Sequence, residues 1–212
     1  LMCLSFKNIT IIILVVWSLT ALSVNANTQV LKREFDQASY AFATKNYVGA
    51  AKMFKSLSEK NDPNSQYNYA LLLFKGVGTP TDLEEAWYWA WRARLNGVER
   101  ANLLTMDIAK MLSSEEAESL QIRLLAAVEL DADAGDPRAI SSVAKTYFYV
   151  KETPDYEDGY TWALVAQAFG QEDVLDIISD AEAKLALDEK LKSQRLANEI
   201  FSEIVNSSSG TN

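Results

Sequence analysis

A run of nine residues, Asp82-Leu83-Glu84-Glu85-Ala86-Trp87-Tyr88-Trp89-Ala90, comes back 73 positions later as Asp155-Tyr156-Glu157-Asp158-Gly159-Tyr160-Thr161-Trp162-Ala163. The same offset superposes Ala93 on Ala166, Gly97 on Gly170, Glu99 on Glu172, Asp107 on Asp180, Leu112 on Leu185 and Gln121 on Gln194. A chain that repeats itself at this period builds one structural unit twice and buries apolar surface by stacking the copies.

Each unit reads as helical. Tyr67, Ala70, Leu71 and Phe74 share one helical face, Gly76-Val77-Gly78-Thr79-Pro80 cannot continue that helix, and Asp82 with Glu85 opens the next as N-cap and N3. Gly97 stands where a helix end accepts positive φ. Ala101, Leu104, Ile108 and Met111 mark a third helix. A fourth follows the capping box Ser113 to Glu116, with Ala117, Leu120, Leu124 and Ala127 on one side; it runs to Ala134 and ends at Gly135. Asp136-Pro137 then starts the second copy as Asp62-Pro63 starts the first, since Asp caps a helix and Pro suits its first position.

The order of small, aromatic and glycine positions from Gln66 to Ala101 resembles a Sel1-like repeat, the relative of the tetratricopeptide repeat in which antiparallel helix pairs stack. The resemblance implies an all-α superhelical solenoid of Sel1-like and tetratricopeptide-like hairpins, about ten helices in all. It also implies a scaffold or adaptor that holds a partner protein, with no enzymatic activity and no cofactor.

Ahead of the repeats, Leu31, Phe35, Ala38 and Phe42 form one helical stripe and Tyr47, Ala50, Ala51, Phe54 and Leu57 another, broken at Lys45-Asn46. The expected organisation is an N-terminal hairpin over 28–62, a first unit over 63–135, a second over 136–205 and a flexible tail over 206–212. Residues 1–26 read as a signal peptide. Ile9 to Leu22 is an apolar run of about fourteen residues, short for a membrane span, and Val24 and Ala26 suit cleavage after Ala26. The alternative is an anchor that stays in place. The expected location is the periplasm or the exterior.

The second copy departs from the pattern in one place. Val150-Lys151-Glu152-Thr153-Pro154 replaces the glycine-bearing turn and is one residue shorter to the aspartate, so that turn must be built differently.

Composition removes several kinds of chemistry. The chain has no histidine, and its one cysteine, Cys3, falls in the signal segment, so a nitrogen and sulfur zinc site, a Ser-His or Cys-His nucleophile and a disulfide are not expected. A net charge of -9 without a basic cluster repels nucleic acid. The acidic pairs Glu84-Glu85, Glu115-Glu116 and Glu157-Asp158 stand at helix starts, where carboxylates favour the dipole. Asp131 with Asp133 is a further pair. A carboxylate enzyme would need two acids from different copies in one cleft. Gly76-Val77-Gly78 lacks the Lys and Ser or Thr of a phosphate loop and reads as a turn. The charged face of the last helix reads as the cap that closes the solenoid.

The candidate binding residues are aromatic. Trp89 is expected in the core, at the position the family uses there. Trp87 and Trp91, one turn apart with Arg94 extending their face, either meet the next helix or remain on a groove. In the second case Trp87, Tyr88, Trp91 and Arg94 are partner-binding residues, and the same rings could stack on a cell-wall or extracellular polysaccharide.

Overall fold

The computed structural model describes residues 28–133, 136–151 and 153–209, among which all regular structure is helical. The segment expected to be a signal peptide lies outside these residues, as do Ala134 and Gly135. Helix α1 covers 28–43. After it come α2 (Tyr47–Glu59), α3 (Pro63–Lys75), α4 (Leu83–Leu95), α5 (Ala101–Ala109) and α6 (Ser114–Asp133). The second copy holds α7 (Pro137–Lys145), which runs on as a π-helical turn over Thr146–Val150, then α8 (Tyr156–Ala168), α9 (Leu175–Lys184) and α10 (Leu187–Ser209). The last helix therefore continues through residues 206–209, where a flexible tail is expected.

Packing is near-neighbour, as in a solenoid. α2 lies on α3, α3 on α4, α6 on α7 and α7 on α8. In both copies the two helices after the hairpin pack back on its second helix, α5 and α6 on α4 and α9 and α10 on α8, instead of pairing closely with each other. The core runs from α1 through both copies by way of small residues at the crossings, Ala38, Ala50, Ala70, Ala90, Ala144 and Ala163, and larger ones between them, Leu57, Ile108, Leu124, Ile140 and Ile177. Each such Leu or Ile contributes about 1.5–3 kcal/mol by leaving water. In α6 the buried stripe is Leu120, Leu124, Val128 and Ala132, at i+4 spacing; Ala117 and Ala127 sit half-buried at its margin.

Local chemistry sets the helix ends. Asp62, Asp82, Asp136 and Asp155 all cap their helices, accepting from the backbone N–H of Ser65, Glu85, Arg138 and Asp158 at 2.7, 3.0, 3.0 and 3.3 Å. Ser113 and Glu116 form the reciprocal box, with the Glu116 carboxylate 2.7 Å from the Ser113 N–H and the Ser113 hydroxyl 3.2 Å from the Glu116 N–H. Gly97 and Gly170 adopt φ of 86° and 80°, and the residue after each bonds back into its helix, Val98 N–H to Ala93 and Gln171 N–H to Ala166.

The two hairpin turns differ as the sequences do. In the first copy Gly76 and Gly78 take φ of 64° and 76°. A Cβ on Gly78 would stand 2.1 Å from the Tyr47 carbonyl oxygen, so the absence of a side chain lets the N-terminal hairpin close on the turn. In the second copy the helix widens into the π-helical turn and leaves at Lys151 with extended backbone. Both routes end in the same bond: the amide of the capping aspartate reaches back to its partner helix, Asp82 to Leu73 and Asp155 to Tyr147, at 3.2 and 3.0 Å.

Candidate functional site

α4 is the helix on which the aromatic residues converge, and it is enclosed by α3, α5 and α6 at once. Ala86, Trp87, Ala90, Trp91, Arg92, Ala93 and Leu95 are all buried, which leaves almost no outer face. Trp87 and Trp91 are 3% and 7% exposed, with their rings 5.8 Å apart. The exposed tryptophan platform expected for a polysaccharide is thereby corrected: three packed helices bury Trp87 and leave only the edge of Trp91 in reach of solvent. Trp89 is the half-buried member, donating its ring N–H to Glu85 at 3.1 Å and meeting Tyr69 edge to face. Tyr88 is taken up elsewhere, under the guanidinium of Arg123 from α6, which also pairs with Glu85 at 2.5 Å.

Trp91 and Arg94 do share a site. They line an open groove of about 330 Å³ where the first copy meets the second, beside Asn102 of α5 and Tyr149 of the π-helical turn. The Arg94 guanidinium lies 4.4 Å above the Trp91 ring and donates a long bond of 3.4 Å to the Thr105 hydroxyl. Burial lowers its pKa, against a smaller opposing effect of Tyr149. Across the groove, the Lys145 ammonium donates to Asp173 at 2.6 Å, and the Tyr149 hydroxyl donates to Asp176. Burial and that bond raise the Tyr149 pKa. Lys145, Tyr149 and Asp176 were not among the sequence candidates. Their signal was faint: with α7 aligned on α3 at Asp136 over Asp62, Lys145 falls on Leu71, a charge where the first copy has an apolar side chain.

A second polar cluster is structural. Buried Arg92 pairs with Asp131 at 2.7 Å and donates to Asn61 at 2.5 Å, while Gln66 bridges Asn61 and Asn96. This ties the α2–α3 turn, α4 and α6 together around a residual space of only about 10 Å³.

Glu129 of α6 and Asp158 of α8 both have raised pKa values, chiefly from burial, and Glu129 accepts from the Tyr147 hydroxyl at 3.2 Å. Among the described residues, Asp158 of the second copy adds a minor part to the rise at Glu129 of the first. Neither lines the neighbouring apolar cavity of about 140 Å³, whose walls include Ile122, Leu125, Tyr147 and Val150. Among the described residues no group of His, Cys, Asp and Glu is placed to hold a metal ion, and no helix is long and apolar enough to cross a membrane.

Two solved structures are similar to this chain. One is a protective antigen present in uropathogenic Escherichia coli strains, displaying an SLR fold, with 14% identity and a TM-score of 0.41 over 84% of this chain and 31% of that one. The other is a Sel1 repeat protein from Oxalobacter formigenes, with 21% identity and a TM-score of 0.38 over 82% of this chain and 75% of that one. The chain thus spans about a third of the first protein's length. No protein-family model and no curated protein matches the chain.

Proposed function

We propose that the protein is a non-enzymatic scaffold or adaptor that holds a partner protein in the groove between its two copies, in the periplasm or outside the cell. The observation that carries this reading is a difference between equivalent positions. Trp91 and Arg94 correspond to Leu164 and Gln167 in the second copy, so the stacked hairpins do not require the pair, yet it opens on a groove walled by both copies. Solenoids present extended surfaces of this kind to other proteins. Location rests on the apolar run from Ile9 to Leu22 and the small residues that follow it.

Affinity capture from a cell-envelope extract with the full chain as bait tests the reading. One protein enriched at near-stoichiometric yield is expected; a folded bait that retains none would overturn it. Fractionation of the native host, following the protein to the periplasm or medium, tests the location, and recovery in the cytosol sinks it.

A further inference from the structure

We infer that the groove takes an internal Asp or Glu side chain from a segment of the partner protein, with its carboxylate held by Arg94. This rests on the scaffold reading above and names the chemistry of the partner. Arg92 and Arg94 sit two residues apart on α4 but are treated very differently. Arg92 has the Asp131 carboxylate at 2.7 Å, and Arg123 and Arg138 likewise have Glu85 and Asp136. Arg94 is half-buried, stacked on an indole, and has no carboxylate within ion-pairing distance among the described residues. A partly desolvated guanidinium without an anion costs free energy that a bound carboxylate offsets, and its planar fork suits that group.

The surrounding charges select the anion. Asp173 and Asp176 already accept from Lys145 and Tyr149, and Glu99 stands exposed at the rim. Three carboxylates around two cations disfavour a phosphate dianion more than a carboxylate monoanion. The groove is an open trough and not a closed pocket, so a segment lying across it delivers a side chain more readily than a chain end. The apolar neighbours of that acid meet the exposed Tyr149 ring and the small part of Trp91 and Leu95 that the groove reaches. Position 94 is free for this role because the second copy folds with Gln167 there.

The test is selection of random linear peptides on the purified full chain, followed by titration of the best synthetic peptide. Enriched peptides are expected to share an internal Asp or Glu beside apolar residues. Affinity is expected to fall about tenfold or more when that acid becomes its amide, or when the protein carries Arg94→Gln, with Arg94→Lys in between. The peptide substitution uses unaltered protein, so it stands even if a variant folds poorly. A basic, acid-free or absent consensus, an acid required only at the free C-terminus, or equal affinity for the amide would each overturn the inference. An envelope protein captured equally by parent and Arg94→Gln removes the carboxylate site but leaves the scaffold; no capture by either removes the scaffold.

Discussion

The first copy closes its hairpin with two left-handed glycines and the second with a π-helical turn, yet both bring the capping aspartate to the same carbonyl of the preceding helix. The hairpin therefore depends on the capped second helix and that one backbone bond, while the path between is negotiable. The glycine path has a separate cause, the approach of the Tyr47 backbone to Gly78. Differences on the second helix teach something else. Trp87 is matched by the equally buried Tyr160, so an aromatic core residue is needed there, whereas Trp91, Arg92 and Arg94 face Leu164, Val165 and Gln167. Arg92 serves the polar network special to the first copy. Trp91 and Arg94 line the groove.

The largest effect is expected at the shared aromatic position. Trp87→Ala should cost about 4 kcal/mol by leaving a core cavity, whereas Trp91→Leu, the residue the second copy uses, should cost about 1 kcal/mol. Urea titrations followed by far-ultraviolet circular dichroism measure both, and equal losses would mean that Trp91 is as structural as Trp87. Next comes the turn. Gly78→Ala forces a side chain into the Tyr47 carbonyl at positive φ and should lose about 3 kcal/mol, while Lys151→Ala in the second turn stays within about 0.5 kcal/mol. If the two variants melt together, the glycine path is not set by the N-terminal hairpin.

The caps should behave alike: Asp82→Ala and Asp155→Ala each lose about 1 kcal/mol, read from the same titrations, and a large inequality would show that the two second helices are not equivalently anchored. The smallest effect concerns acidity. Burial raises the Glu129 carboxyl, so the folded chain binds its proton more tightly than the unfolded one. Its contribution to stability is then full below the ordinary carboxylate range and is lost as pH rises through the raised value. Glu129→Gln, which still accepts from Tyr147, should flatten that fall by up to about 0.5 kcal/mol between about pH 4 and 7; an unchanged slope would assign the pH dependence to Asp158 and net charge.

Much of this was legible in order along the chain. The aspartate caps, the Ser113 box and the terminating glycine at Gly97 depend on contacts within about five residues and stand where capping places them, whereas the stripes hold only in part: Phe42, Tyr47 and Met111 are exposed, and in α3 the buried face is Gln66, Tyr69, Ala70, Leu72 and Leu73. The need for another turn after Val150 was legible too, but not its π-helical form, which no pattern of residues announces. The site was read only in part. Four candidates on one helix looked equivalent, yet Trp87 is packed, Tyr88 lies beneath Arg123, and only Trp91 and Arg94 reach the groove. Trp89, expected in the core, is partly buried and packs against the core's edge. The opposite wall, Lys145, Tyr149 and Asp176, comes from about fifty residues and more further on, beyond any local signal.

Helix α10 divides along the same line. By the 73-residue offset, Ile122 and Leu125, which border the cavity beside the next hairpin in α6, become Arg195 and Asn198 in α10. That polarity is written in the sequence. Sequence alone determined which segments are helical, where most of them start, and that one unit occurs twice, because those properties follow from backbone sterics and nearest-neighbour hydrogen bonds; two helix ends, at Ala109 and Ser209, differ from the reading. Only the tertiary structure decided which aromatic rings lose their water and which half-buried arginine is left without an acid among the described residues, because burial and pairing depend on helices that arrive from distant parts of the sequence.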